Sequence, residues 1–277
     1  METCRGQINA FMSPCRCDVS VGVTLLGEPI SPGLSWAPVE LADYQSRITT
    51  EAGLLRRAAA SLDPDTPVPT CPGWTVQRLV QHLGRVFDMV IRVLQAADPQ
   101  SAASRVEPAP GDVFAIFDDQ LATMADLLAA TDPATPVWHF TPTAPKTAAF
   151  WSRRMAHEVT IHRIDVQAAA DISSGVDPDF AADGIDEVLT RLIQSNTDAW
   201  AVGSHAGTVL YHAADAGRAW TVRLVPGQLP QTLAEAVTEP DASVVGLADA
   251  VYRASWGRPS GAVISGDTAL VELTHAR

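Results

Sequence analysis

The chain has 277 residues and a formal net charge of −13; with no Lys/Arg-rich run to override that excess of carboxylates locally, a nucleic-acid partner is not expected. Some 47% of the residues are hydrophobic, enough to bury the cores of two domains, yet no apolar run approaches the roughly 18 to 20 residues that cross a bilayer. Three of the four cysteines, Cys4, Cys15 and Cys17, fall in the first seventeen residues, which is no disulfide framework, and the expected location is the cytoplasm.

Residues 1–37 read as a flexible leader or a misassigned start, with Met12 a candidate true start; the apolar piece VSVGVTLL inside them has no A-x-A-like cleavage site after it. From 39 to 62 apolar positions recur at helical spacing, and DPDTPVPTCPGW then breaks the pattern with four prolines and a glycine. A second helix follows, with Thr75 as N-cap and Val76, Leu79, Val80, Leu83, Val86, Phe87, Val90, Ile91 and Leu94 along one buried stripe. A Pro/Ser/Ala linker covers 99–110. A third helix is expected from Asp112 to Ala130, a fourth from Thr147 to Ala170, and a fifth from Asp177 and Pro178 to Trp200. Beyond Trp200 the period changes: GTVLYHAAD, AWTVRLVP and GAVISGDTALVEL suit strands, and VGLADAVYRASW between them reads as a helix. Helices first and a mixed α+β end second imply two domains, a helical one over 38–202 and a smaller one over 203–277.

The stretch RRMAHEVTIHRID, residues 153–165, nearly spells the H-E-x-x-H zinc motif but has one residue too many. On a helix His157 and His162 stand about 140° apart, so they do not share a face. Glu158 and His162 stand within about 40° of each other, which makes the carboxylate a candidate ligand instead of a base. On the second helix His82 lies at helical spacing from Leu79, Leu83 and Val86, so its imidazole is expected to point into the core, where it needs a partner. A bundle can bring it to Glu158 and His162, giving two histidines and one carboxylate with a coordination position left open, as in catalytic zinc sites. The bland alternatives are a core histidine satisfied by a neighbour and a solvent-facing Glu/His pair. Asp165, one turn past His162, could accept the proton of its other ring nitrogen. Arg154 and Arg85 lie one turn from Glu158 and from His82, placed either to meet an anionic ligand or to serve as helix-surface cations. His157 is assigned to supporting or packing duty, and Cys71 to packing at the helix entrance rather than to nucleophilic attack.

The segments TPVPTCPGWTVQRLVQHLGRV and RRMAHEVTIHRIDVQAAA resemble the two signature segments of the mycothiol-dependent maleylpyruvate isomerase family. VLYHAADAGRAWTVRLVP followed by SWGRPSGAVISGDTALVEL resembles that family's C-terminal domain, and the likeness runs over about 40–275. It implies an N-terminal DinB-like four-helix bundle and a smaller sterol-carrier-like α+β domain. It implies that His82, Glu158 and His162 hold a divalent metal, zinc by preference, and that an arginine of the second domain, best matched by Arg258 in WGRP, reaches the active site as a catalytic residue that holds a substrate carboxylate; the bland alternative is a surface arginine closing its helix. The implied partners are mycothiol, a low-molecular-weight thiol, and a small-molecule substrate. The implied activity is thiolate addition to an activated double bond, ending in cis–trans isomerisation or in transfer of the thiol. The alternatives are a metal-dependent hydrolase and a non-enzymatic, metal-stabilised binding module, and thiol dependence separates the three.

Overall fold

The computed structural model describes residues 39–276 apart from 100–110, 143–144, 196, 198–199 and 201–202. The expected leader with Met12, and all but the first residue of the expected 99–110 linker, lie outside the described residues. Helix α1 spans Leu41–Ala60, α2 Val76–Leu94, α3 Val113–Ala130, α4 Ala149–Ala169 and α5 Pro178–Glu187. The remaining elements are β1 Gly207–Ala213, β2 Arg218–Leu224, β3 Gln231–Leu233, β4 Ala242–Gly246, α6 Ala248–Ser255, β5 Val263–Gly266 and α7 Thr268–Leu273. The expected architecture, a four-helix N-terminal region followed by a mixed-sheet α+β domain, is the one observed.

Helix α1 packs chiefly on α4, and α2 on α3. Thr75 caps α2 by accepting from the Arg78 amide, and Leu79, Val80, Leu83, Phe87 and Val90 are fully buried along its inner face. Val86 and Leu94, expected on that stripe, flank it half-buried. Helix α4 is buried on nearly every side from Trp151 to Gln167, so its polar side chains must find partners inside the protein. That removes the reading of Glu158 and His162 as a solvent-facing pair.

The fifth helix is shorter than its sequence pattern. It leaves α geometry at Glu187 for a wider π turn over Val188–Leu192 and a tighter turn over Ile193–Ser195. Thr190 Oγ1 donates to the Asp186 carbonyl and Thr232 Oγ1 of β3 to the Leu189 carbonyl, bonds that compete with the regular ladder and hold the wider turn. The sheet runs β3-β2-β1-β4-β5, with β1 and β4 parallel and every other pair antiparallel. Sequence reading misses β3, places part of β4 in the following helix, and reads 261–273 as one strand where β5 turns into α7. The break falls at Gly266, whose φ is +79° and whose added Cβ would lie 2.1 Å from the Asp241 carbonyl oxygen. Asp267 next to it caps α7 by accepting from the Ala269 amide. Helices α6 and α7 both lie on β1 and β4.

The helical region and the sheet domain meet where α5 packs on α6. Asp183, 1% exposed, is the polar centre of this join: its Oδ2 accepts from Tyr44 Oη at 2.9 Å, His157 Nε2 at 2.8 Å and Arg153 Nε at 3.1 Å. Arg153 also reaches Asp186, whose other oxygen accepts from Trp220 Nε1 of β2. His157 therefore has the packing duty expected of it, stacked on Phe180 with ring centroids 4.3 Å apart. The join is also tight: a Cβ on Gly184 would lie 2.3 Å from the ring of Tyr252, which is fully buried and has nowhere to move.

Two outcomes follow. Gly184→Ala should destabilise the protein by about 1–3 kcal/mol through overpacking, read as a fall in thermal midpoint. Burial alone would raise the Asp183 carboxyl, but its bond from His157 and the charge of Arg153 bring it down from 3.8 to about 2. A depressed carboxylate stabilises the fold above its unfolded pKa and loses that contribution as pH falls through the folded one. Stability should therefore drop by roughly 2 kcal/mol between about pH 4 and pH 2, and Asp183→Asn should flatten that part of a denaturation-against-pH profile.

Candidate metal centre

His82 projects from α2 and Glu158 and His162 from α4, and their donor atoms all lie within 4.8 Å of one another. His82 Nε2 is 3.0 Å and His162 Nε2 3.4 Å from Glu158 Oε1. Ligands about 2.0–2.1 Å from a tetrahedral ion stand roughly 3.3–3.4 Å apart. The two separations from Glu158 are close to the edges of such a polyhedron, and the donor set of two imidazoles and one carboxylate suits a divalent metal. The imidazole of His82, expected to be buried, keeps 25% of its side chain accessible, against 9% for His162 and 12% for Glu158. The open side of the cluster is therefore at His82.

Each donor is held from behind. Trp74, the last residue of the PTCPGW turn, stacks on His162 with centroids 6.1 Å apart and leans over His82 at 5.0 Å. The sequence pattern assigns this tryptophan no role; its one signal is a large aromatic three residues after a cysteine in a proline-fixed turn. Glu158 Oε2 accepts from Arg154, whose other amino group donates to Glu187, and the Arg154 guanidinium lies 5.0 Å over Trp256. Arg154 is 4% exposed. This corrects both readings of it: it is neither a surface cation nor aimed at an incoming anion, because two carboxylates already occupy its fork. Arg85 is different. It is half-buried, makes no side-chain hydrogen bond or ion pair among the described residues, and its charge bears on His82.

Asp165 is completely buried and does what its spacing suggested, accepting a hydrogen bond from His162 Nδ1 at 2.9 Å. It also accepts from Thr70 Oγ1 at 2.6 Å and Cys71 Sγ at 3.2 Å. Arg258 arrives from the sheet domain, as the family likeness implied, but its guanidinium is clamped on Asp165, Nε at 2.8 Å and Nη2 at 2.9 Å. Cys71 is buried at this junction, within 3.4 Å of the same guanidinium.

Electrostatics follow from these pairings. Burial alone would raise the Glu158 carboxyl; Arg154 and the bonds from His162 and His82 hold it well below the usual carboxylate range. Burial lowers His82, the bond to Glu158 offsetting only part of that. His162 is raised well above the ordinary imidazole value, because its bonds to Asp165, Cys71 and Glu158 outweigh its burial. A metal must displace that proton, so metal affinity should weaken as pH falls through the raised value.

A helical bundle with two histidines and a glutamate converging at one open point, joined to a mixed-sheet module that sends an arginine into the same cluster, defines a two-domain class of protein with a metal-capable centre. Family models identify which. Residues 46–167 match the mycothiol maleylpyruvate isomerase N-terminal domain and residues 179–273 the MDMPI C-terminal domain, and the chain belongs to the mycothiol-dependent maleylpyruvate isomerase family. The structure is similar to a crystal structure of the mycothiol-dependent maleylpyruvate isomerase, with a TM-score of 0.58, 12% identity, and 82% of this chain and 93% of that one covered. A histidine-to-alanine mutant of that enzyme is similar with a TM-score of 0.55, at the same identity and coverage. At 12% identity these likenesses bear on the fold. No curated protein matches the chain significantly.

If the three donors form one site, purified wild-type protein should hold about one equivalent of divalent metal. His82→Ala combined with His162→Ala should remove it; stoichiometric metal in that double variant, by elemental analysis, would place the ion elsewhere.

Proposed function

We propose that the protein is a metal-dependent enzyme that uses mycothiol as its nucleophile, either for cis–trans isomerisation of an activated double bond or for transfer of the thiol to its substrate. The observation that carries this reading is the convergence of His82, Glu158 and His162 with an open side at His82, in a chain whose described cysteine, Cys71, is buried and bonded to Asp165. A divalent metal, zinc by preference, would supply Lewis acidity, lowering the pKa of a coordinated thiol so that it is present as thiolate at neutral pH. The family match supports the thiol, and the donor chemistry of two imidazoles and one carboxylate supports the metal.

The chain's own residues then divide the labour. His82, Glu158 and His162 would hold the metal, with Asp165 fixing the ring nitrogen of His162 that faces away from it. Arg154 compensates the buried charge of Glu158, and Trp74 walls off one side of the two imidazoles. Arg85, one turn beyond His82 and without a carboxylate partner among the described residues, would be a cation available to an anionic group of the thiol or the substrate. The acidity of the whole chain makes that local positive charge necessary for an acidic substrate.

Calorimetric titration of mycothiol into metal-loaded protein tests the reading, followed by turnover of a cis-unsaturated diacid. An isomerase returns the thiol and a transferase consumes it. Turnover without thiol would replace the proposal with metal-dependent hydrolysis, and no turnover with a binding module. Arg85→Ala should leave metal content unchanged and weaken thiol binding or raise KM by about tenfold, roughly 1.4 kcal/mol.

A further inference from the structure

Arg258 comes to the metal centre from the far side of the join, and its path there is set by local backbone chemistry. Helix α6 ends in a left-handed glycine, Gly257 at φ +63°. The Gly257 amide donates to the Ala254 carbonyl and the Arg258 amide to the Arg253 carbonyl. This is the pair of bonds that reverses a chain at a helix C-terminus, and it sends the side chain of Arg258 back toward the bundle. There the side chain is 9% exposed. Its three guanidinium nitrogens are all engaged: Nε and Nη2 on Asp165, Nη2 also on Cys71, and Nη1 on the Trp256 carbonyl at 3.1 Å. An arginine waiting for a substrate carboxylate would need a free edge on its fork.

Asp165 has no exposed surface, and a buried carboxylate needs a compensating charge and a full set of donors to stay in one orientation. Thr70, Cys71 and His162 each supply one donor, but Arg258 supplies a permanent charge with two parallel bonds that fix the plane of the carboxylate. That plane determines where Oδ2 meets His162 Nδ1, and so the direction in which His162 Nε2 faces Glu158 and His82.

We infer that Arg258 is a positioning residue for the metal centre and not a substrate-binding one: it acts through Asp165 on His162, so that docking of the sheet domain sets the metal affinity of the helical bundle. This rests on the metal centre proposed above. It makes metal affinity a property of the whole chain, although all three candidate ligands lie on two helices of the bundle.

The test is calorimetric titration of zinc into the metal-free full-length chain, for wild type, Arg258→Gln, Asp165→Asn and the double variant. Cobalt absorption spectra report the ligand field, and thermal melts report folding. Loss of such a supporting partner typically weakens metal binding about 10- to 100-fold. Arg258→Gln should therefore weaken zinc by about tenfold or more and shift the cobalt bands at a folded-state signal like wild type. The double variant should bind about as weakly as Asp165→Asn alone, since the paired bond by which Arg258 fixes the ligand system is made to Asp165. If Arg258→Gln does not fold, Arg258→Lys, which keeps the charge and loses the fork, should weaken zinc in the same direction. Unchanged zinc affinity in the folded single variant, or effects that multiply in the double variant, would overturn the inference. So would a raised KM with zinc affinity untouched, which would mark Arg258 as substrate-binding. Wild-type protein that takes up no zinc would instead overturn the metal centre, and this inference with it.

Discussion

Helix α4 crosses the middle of the bundle with almost no exposed surface, yet it carries Arg154, His157, Glu158, His162, Arg163 and Asp165 along its length. The cost of leaving such groups buried and unpaired is several kcal/mol each, and that constraint arranges much of what surrounds it. Glu51 of α1 meets Arg163, Asp183 of α5 meets His157, Glu187 at the end of α5 meets Arg154, and Arg258 beyond α6 meets Asp165. The partners come from helices on both sides and from the other domain. Pairs of this kind add little net stability over an apolar core, but removing one partner costs about 3–5 kcal/mol. They specify one packing of α1, α5 and α6 around α4.

The same constraint gives the candidate site its character. Its two carboxylates, Glu158 and Asp165, are each matched by a buried arginine, so neither is free to draw a cation from solution by bare charge. The two imidazoles differ in kind: His162 is enclosed and bonded on both nitrogens, while His82, among the described residues, bonds Glu158 alone and is the more exposed of the two. The half-buried Arg85, one turn along α2, bears on His82 by its charge. The result is a floor of paired groups with one accessible edge at His82.

The sheet domain has two attachments to this floor. One is the packed join of Gly184 against Tyr252 and the Asp183 hub, where shape and hydrogen bonding leave little freedom. The other is the turn after α6, where Gly257 directs Arg258 onto Asp165. Together they place the second domain as part of the support of the centre, with its sheet edge β5 turned away to solvent.

The sequence by itself determined the helices of the bundle, because their apolar period, the Thr75 cap and the proline breaks are local signals read over a few turns. It also brought His82, Glu158, His162 and Asp165 into one candidate set, since the spacing of Glu158, His162 and Asp165 is a property of one helix, and a histidine within a buried stripe needs a partner. The end of the chain was legible only in part: β4 and β5 were hidden within runs that continue into helices, and the turns at Leu247 and Gly266 that separate them depend on pairing with distant strands. The tertiary structure alone decided the fates of the arginines. Arg85, Arg154 and Arg258 are each one cation at plausible spacing in the sequence, but which remains available depends on Glu187, Asp165 and Trp256, brought there by folding from segments 33 to 102 residues away from the arginine or ligand they serve. A charge acts over a few ångströms on whatever lies beside it, and in this chain those neighbours are set by how α5 and α6 pack on α4.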